Sequence, residues 1–207
     1  MSGRIDPGRY LADPCRESSL PFWKTRTVTV PEGVKIVRDD EYCEDRYTGR
    51  DERYFRMKHD FAGIPDVSLP EGFEVTKAGT EELAEHINSC YEKEHVTAEE
   101  LEAYRDHPVY DPKLWIAVKD EKTGSIAASG IAELDRSIGE GVLEWIQVSP
   151  GYRRQGLGSF IVCELLRRLR GKADFVTVSG RMDSGSSPRE LYGSCGFTGE
   201  VIWHVIT

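Results

Sequence analysis

The chain has 207 residues, of which 39% are hydrophobic and 30% are charged, and its formal net charge is -9. This length and composition are typical of a soluble globular protein with one main core, whereas the negative charge and the lack of a long lysine or arginine run exclude a nucleic-acid-binding protein. Apolar stretches fall far short of the ~20 residues that span a bilayer, and charges interrupt the N-terminal positions where a secretory signal is apolar, so we expect a cytoplasmic protein without a membrane segment.

The N-terminal third of the chain is dense in turn signals, such as the pairs that begin at Asp6 and Asp13, each followed by proline. Extended segments are predicted there at residues 27–30, 34–37 and 53–57. Turn-forming residues become less frequent after about residue 70. We therefore divide the chain into an N-terminal extension, residues 1–71, and a main domain, residues 72–207, on which the extension packs.

The main domain begins with a predicted strand at residues 73–77, followed by an amphipathic helix at residues 81–92. Apolar residues recur every four positions in this helix, as expected for one buried face, and the pair Gly79 and Thr80 is predicted to cap it. Thr97 and Glu100 have the spacing of a capping box, which predicts a second, shorter helix.

Strands and helices then alternate to the end of the chain. The predicted order is three strands, a helix, a strand, a helix and a last strand. A glycine- and serine-rich loop at residues 184–187 precedes the last helix. The three strands are at residues 114–119, 125–134 and 141–148, and the later elements are at residues 157–169, 175–178, 189–194 and 197–206.

The turn between the third of these strands and the next helix has the features of a phosphate-binding site. Pro150 ends the strand, and Gly156 and Gly158 lie where the helix begins. The first N–H groups of a helix have no partner within it and form an anion site together with the helix dipole. Glycine lets an anion approach the backbone closely, and Arg153 and Arg154 add positive charge. The turn lacks the third glycine of a dinucleotide fold and the lysine of a P-loop, which disfavours both.

Two linked motifs carry a resemblance to a known family. Residues 153–158 match the pattern [Gln/Arg]-x-x-Gly-x-[Gly/Ala], and residues 191–197 match a second element, Leu-Tyr-x-x-x-Gly-Phe. Over about residues 72–207 the chain therefore resembles the GNAT superfamily of acetyl-CoA-dependent N-acetyltransferases, and in particular a bacterial subgroup with an N-terminal extension. The asparagine that many members carry before this tyrosine is replaced near Ser186, with Pro188 where alanine is usual, so we expect no such cofactor contact there.

The resemblance implies the acyl-CoA N-acyltransferase fold, an α+β fold of three layers in which helices flank a mixed, mostly antiparallel central sheet. The predicted order of strands and helices agrees with it. The implied cofactor is acetyl-CoA, whose pantetheine arm lies along Ile146, Gln147 and Val148 as if it were another strand. The residues implied at the pyrophosphate are Arg153, Arg154, Gln155, Gly156, Leu157, Gly158 and Ser159.

An amine that attacks the thioester directly must first lose a proton, so the site needs a general base. Glu144 is the candidate, because strand alternation places Glu144, Ile146 and Val148 on one face and Trp145 and Gln147 on the other. The alternatives are that Glu144 is solvated or ion-paired. Glu133, on the preceding strand, is the second candidate base.

Tyr192 corresponds to the tyrosine of the second motif and is the candidate general acid, since its phenol can donate a proton to the departing thiolate. The alternative is that its ring only packs the helix against the sheet. His86 and His95 do not form an H-E-x-x-H motif, so we predict no metal site. The five cysteines contain no C-x-x-C pair and are interpreted as reduced thiols, most of them in packing roles.

The resemblance gives the reaction but not the acceptor. We expect a primary amine on a small molecule, either a metabolite, an amino acid or an antibiotic, and a monomer or homodimer without nucleic-acid or membrane partners. The alternatives are a protein N-terminus or lysine as the acceptor, or an acyl-CoA sensor without turnover. Residues 1–71 either extend the sheet and shield an edge or form a wall of the acceptor pocket.

Overall fold

The computed structural model describes residues 5–91, 95–183 and 188–207. Its strands are β1 (Lys35–Arg38), β2 (Asp51–His59), β3 (Phe73–Thr76), β4 (Trp115–Asp120), β5 (Ile126–Asp135), β6 (Glu140–Val148), β7 (Phe175–Arg181) and β8 (Thr198–Ile206). They form one sheet in the order β1-β8-β2-β7-β6-β5-β4-β3. Within the described residues β6 and β7 are parallel and the other neighbours are antiparallel, which confirms the predicted mixed sheet.

Helices cover both faces of this sheet, which confirms the three predicted layers. One face carries α6 (Leu157–Leu169) and α7 (Pro188–Ser194), packed on the largest hydrophobic core. The other face carries α1 (Pro7–Ala12), α2 (Pro14–Glu17), α3 (Lys24–Thr27), α4 (Thr80–Cys90) and α5 (Ala98–Tyr104). Among the described residues, no helix combines the length and the apolar character needed to cross a bilayer.

The predicted helix boundaries agree with the structure most closely where the apolar pattern is strong. Helix α6 covers the predicted residues 157–169. The capping box of α5 is confirmed, because the Glu100 N–H donates to Thr97 Oγ1 at 3.1 Å and the Thr97 N–H donates to Glu100 Oε2 at 2.8 Å. The cap predicted at Gly79 and Thr80 lies at Gly79, which makes no side-chain cap bond, and Thr80 is the first residue of α4. The predicted end of that helix at residue 92 and the predicted loop at 184–187, with Ser186 of the family comparison, lie outside the described residues.

The N-terminal region contains three short helices that the turn signals do not predict. Asp6 and Asp13 are N-caps followed by proline, and their carboxylates accept the N–H groups of Arg9 and Arg16 at 2.9 and 3.0 Å. The strand predicted at residues 27–30 is wrong, because the chain there first completes α3. The strands predicted at 34–37 and 53–57 correspond to β1 and β2.

Strand β2 lies inside the sheet, between β7 and β8, although it comes from the N-terminal third of the chain. Phe55 is opposite Gly180 on β7 and Ile202 on β8. A Cβ at Gly180 would lie 2.6 Å from Phe55 Cζ, so this contact requires glycine. Residues before position 72 therefore contribute a central strand, and with it part of the core.

A buried ion pair connects this strand to β6 and to the N-terminal helices. The side chains of Arg56 and Glu140 are 1% and 0% exposed, and Arg56 Nη2 lies 3.2 Å from Glu140 Oε1. The same carboxylate accepts the Tyr10 hydroxyl at 2.7 Å, the Thr177 hydroxyl at 2.6 Å and the Phe22 N–H at 2.9 Å. Its bonds therefore join four separate parts of the chain.

We predict that Glu140→Gln lowers the free energy of unfolding by about 3–5 kcal/mol, because the buried guanidinium of Arg56 loses its counter-charge and one donor to the carboxylate loses its acceptor. Urea unfolding measures the change. Glu102→Gln is the control, since it removes an ion pair with Arg105 in which the side chains are 58% and 39% exposed, and we expect a change of at most ~1 kcal/mol. Equal effects of the two substitutions would contradict this interpretation.

Candidate active site

A cleft of about 740 Å³ opens where β6 and β7 diverge. The two strands pair from Glu140 and Phe175 as far as Leu143 and Val178. The described residues of β6 and β7 beyond that point do not pair with each other. The rest of β6 therefore has no partner strand on the side of the cleft. Residues that line the cleft and enter the argument below are Lys24, Tyr91, Glu144, Ile146, Arg153 and Tyr192.

The predicted phosphate-binding turn contributes Arg153 to the lining of this cleft. Gly156 is the N-cap of α6 with φ +83°, and no side chain caps the helix, so the first amides of α6 are open to an anion. Arg154 also has a positive φ, +65°. Arg153 lines the cleft, and its Nε donates to the Val148 carbonyl at 3.3 Å.

The two glycines of the turn have different roles. A Cβ on Gly156 would meet no atom within 4 Å, so its surroundings are open, as the anion-binding prediction requires. A Cβ on Gly158 would lie 3.3 Å from Leu191 Cδ2 and 3.7 Å from Val148 Cγ2. The missing side chain at Gly158 therefore makes room for α7 and β6, and its role at the pyrophosphate stays a prediction.

A β-bulge in β6 overturns the predicted alternation of its side chains. Leu143 is opposite Ala132 and Ile146 is opposite Gly130, so Glu144 and Trp145 together oppose one residue of β5. As a result, both Leu143 and Ile146 face the core beneath α6, while Trp145 packs in the cluster beneath α4 and α5. The placement of Glu144 on the same face as Ile146 and Val148 is wrong.

The end of β6 carries the three residues predicted to bind the pantetheine arm. The side chains of Ile146 and Val148 pack on the core, and the Ile146 carbonyl accepts the Tyr91 hydroxyl at 3.4 Å. The Gln147 side chain is buried and donates to Ser129. What this segment offers a ligand is therefore its backbone edge rather than its side chains.

His86 lies beneath this segment as a packed residue. Its ring nitrogens lie 2.9 Å from Ser129 Oγ and 2.9 Å from Ser149 Oγ. Burial lowers the pKa of His86 to about 4. The ring is therefore neutral at physiological pH and supports the strand as a hydrogen-bonding group.

Glu144 extends from the bulge toward the N-terminal region and forms an ion pair there. Its Oε1 lies 2.5 Å from Lys24 Nζ, and the side chains of Glu144 and Lys24 are 22% and 18% exposed. The ion-paired alternative for Glu144 is thus present in the structure. Both groups still line the cleft, so a ligand can reach them.

Glu133 lies on β5 beside Glu144 but is only 1% exposed. Its two oxygens accept the Trp23 indole N–H and the Tyr104 hydroxyl, each at 2.6 Å. Burial raises the pKa of Glu133 to about 7, and the negative charge of Glu144 adds to this rise, while Lys24 and the two hydrogen bonds oppose it. We call Glu133 and Glu144 the carboxylate pair.

Tyr192 reaches the cleft from the opposite side of the sheet, on α7. Its ring packs against Phe55 and Phe197 at centroid distances of 6.1 and 5.6 Å. Burial holds the pKa of the phenol far above its ordinary value, and the charges of Tyr91, Cys195 and Glu144 act in the same direction. The packing alternative is therefore present in the structure, and the phenol remains protonated.

Residues 80–197, more than half of the chain, match the family model described as the acetyltransferase (GNAT) family. The chain belongs to this family. A comparison with curated proteins gives no match.

Solved structures with a similar fold include two GNAT proteins and one protein of unknown function. A GCN5-related N-acetyltransferase from Sphaerobacter thermophilus is 19% identical with a TM-score of 0.62, over 78% of this chain and 53% of that one. One from Kribbella flavida is 16% identical with a TM-score of 0.52, over 84% and 60%. A conserved protein of unknown function from Staphylococcus epidermidis is 8% identical with a TM-score of 0.60, over 98% and 81%. This GNAT chain spans about half of the Sphaerobacter protein, and at these identities the likeness concerns the fold.

Sequence reasoning did not find three residues of this GNAT site, namely Trp23, Lys24 and Tyr104. Trp23 and Lys24 belong to an aromatic-rich N-terminal segment, and Tyr104 ends a helix that its capping box predicts. The sequence therefore offers only the aromatic composition around Trp23 and Lys24 and the end of the helix at Tyr104 as signals. Neither indicates that these side chains meet Glu133 and Glu144 across more than 25 residues of sequence separation in each case.

We predict that the pKa of Glu133 responds in opposite directions to two substitutions. Trp23→Phe removes a hydrogen bond to the charged form and raises the pKa above about 7, whereas Glu144→Gln removes a like charge and lowers it. Carboxyl ¹³C NMR titration measures both changes. Trp203→Phe is the control, because its indole N–H donates to the Cys15 carbonyl, and it should leave the titration unchanged. Shifts of the same sign for the first two variants would contradict the assignment.

Proposed function

We propose that this chain transfers an acetyl group from acetyl-CoA to a primary amine of a small molecule, by direct attack of the amine. One observation carries the proposal: Arg153, in the turn before the uncapped start of α6, the edge of β6 that lacks a strand partner, and Glu144 all border the same cleft. An anion site, a strand edge and a carboxylate are the three features that a thioester cofactor and an amine need together.

The residues of the cleft fit coenzyme A. The first amides of α6, with Arg153 and Arg154, suit the pyrophosphate, because they combine open N–H groups with positive charge. The edge of β6 at Ile146, Gln147 and Val148 suits the amide groups of the pantetheine arm, because strand pairing there is incomplete. When bound, acetyl-CoA supplies an activated thioester carbonyl.

Glu144 is the proposed general base, and Glu133 is its buried neighbour. Deprotonation of a lysine-like ammonium with a pKa of ~10.4 costs roughly 4.6 kcal/mol at pH 7, which is more than protonation of a thiolate with a pKa of ~8.5 requires. A base in contact with the amine therefore contributes more than an acid at the sulfur. Glu144 is 22% exposed and lines the cleft, whereas both oxygens of Glu133 are occupied. Accessibility therefore favours Glu144.

Tyr192 is the proposed donor toward the departing sulfur. Because burial keeps its phenol protonated, the hydroxyl can donate a hydrogen bond there across the physiological pH range. Full transfer of that proton is uphill for a phenol with a raised pKa, since a free thiol has a pKa of ~8.5. The hydroxyl therefore stabilises the developing thiolate mainly as a hydrogen-bond donor.

The N-terminal region supports a small acceptor. Ser19, Leu20, Pro21 and Lys24 line the cleft beside Glu144, so the segment narrows the approach to the base. A narrow approach suits a metabolite, an amino acid or an antibiotic better than a folded protein.

We place the reaction in the cytoplasm, where free thiols such as buried Cys163 and Cys195 remain reduced.

We predict that isothermal titration calorimetry detects binding of both acetyl-CoA and free coenzyme A. Arg153→Gln should weaken both by several-fold to about tenfold, since one charge-assisted contact to phosphate is lost, and added salt should reduce the difference. Arg46→Gln is the control, because Arg46 is exposed in a 3-10 turn and does not line the cleft. The absence of binding heat with either ligand would refute the proposed function.

We predict that Glu144→Gln lowers kcat/KM for amine acetylation by about 10²–10⁴-fold, the usual contribution of a general base. Glu133→Gln should retain much of the activity, because an amide can accept from Trp23 and donate to Tyr104. The wild-type profile should rise through pH about 7, where Glu133 ionises and its charge attracts the ammonium of the acceptor. This step should vanish in Glu133→Gln. Loss of all activity in Glu133→Gln, with Glu144→Gln active, would instead assign the base to Glu133.

A further inference from the structure

The ε-amine of Lys24 occupies the position that an acceptor amine needs. A general base must lie within hydrogen-bond reach of the proton that it removes, about 2.6–3.2 Å between heavy atoms. Lys24 Nζ lies 2.5 Å from Glu144 Oε1, and each of these side chains is about four-fifths buried. The amine that contacts the proposed base in this structure is therefore one of the protein's own.

Several features hold Lys24 at this place. It begins α3, directly after Trp23, whose indole bonds Glu133 and whose ring centroid lies 5.4 Å from Lys24 Nζ. Phe22, one residue earlier, donates its N–H to the buried Glu140. Among the described residues that line the cleft, Lys24 is the one lysine. The backbone and side-chain contacts of residues 22–24 therefore fix the position of Lys24 Nζ beside Glu144.

We propose that Lys24 is an internal acceptor and becomes acetylated on Nζ when acetyl-CoA is bound and no external amine is present. The inference rests on the proposed donor and base. Glu144 takes a proton from the Lys24 ammonium, the freed nitrogen lone pair forms a bond to the acetyl carbon, and the carbon–sulfur bond breaks. The nitrogen gives up its second proton to the departing thiolate, and the proton on Glu144 passes to solvent, so the products are an amide and the free thiol of coenzyme A, with no oxidant or reductant.

The modification changes the site that produces it. The amide of acetylated Lys24 carries no charge, so the carboxylate pair loses its neighbouring cation. The added acetyl group also fills the space beside Glu144 that an external amine needs. Acetylation of Lys24 therefore blocks further turnover, and an external amine that displaces the Lys24 side chain from Glu144 protects the enzyme.

The test incubates the full chain with acetyl-CoA, without an amine, and follows acetylation of each lysine by peptide mass spectrometry. Lys122 is the internal control for direct chemical labelling, because it lies on an exposed turn. We expect Lys24 to be acetylated at least tenfold faster than Lys122, at a rate that does not change when the protein is diluted. Glu144→Gln should slow only Lys24, an external amine substrate should protect it, and Lys24→Arg should abolish the fast phase.

The same samples are assayed for acetyl-CoA binding by calorimetry and for thiol release with a panel of amines. Acetylation of external amines without preferential labelling of Lys24 would overturn the internal-acceptor proposal and leave the proposed function intact. Labelling of Lys24 that equals Lys122, or that slows on dilution, would also overturn it. No binding of acetyl-CoA would overturn both proposals together.

Discussion

The parallel pairing of β6 and β7 ends at Leu143 and Val178, and the rest of the site depends on this divergence. Because the strands separate within the sheet, the cleft passes between its two faces. Glu144 can then reach the cleft from the face of the N-terminal helices, and Tyr192 can reach it from the face of α7. The bulge at Glu144 increases the effect, since it places two consecutive residues opposite one residue of β5 and re-aims a side chain at the opening.

Electrostatics at the centre of the site are set by three charges. Burial raises the pKa of Glu133 to about 7, the negative charge of Glu144 adds to this rise, and the positive charge of Lys24 opposes it. Glu144 faces the cleft and retains an ion-pair partner. The two carboxylates thus have different environments, and the accessible one, Glu144, is suited to contact an acceptor amine.

The sequence predicts this fold well wherever local pattern decides it. The apolar stripe of α6, the capping box at Thr97 and the strands of the main domain are short-range features, and the structure confirms them within a residue or two, except that β7 ends three residues later than predicted. The position of β2 between β7 and β8 depends on pairing over more than a hundred residues, which no local pattern encodes. The bulge depends on the register between β5 and β6, so alternation alone misplaced Glu144.

The N-terminal region links the stability of the fold to the charges of the site. Glu140 is bonded to Phe22, and the next two residues, Trp23 and Lys24, contact the carboxylate pair. Any change that loosens the buried bonds of Glu140 also frees the segment that donates a hydrogen bond to Glu133 and a cation to Glu144. Since each of those contacts lowers the pKa of Glu133, such a change raises that pKa without touching either carboxylate. The buried ion pair of Arg56 and Glu140 can therefore affect the pKa of Glu133 through the segment of residues 22–24.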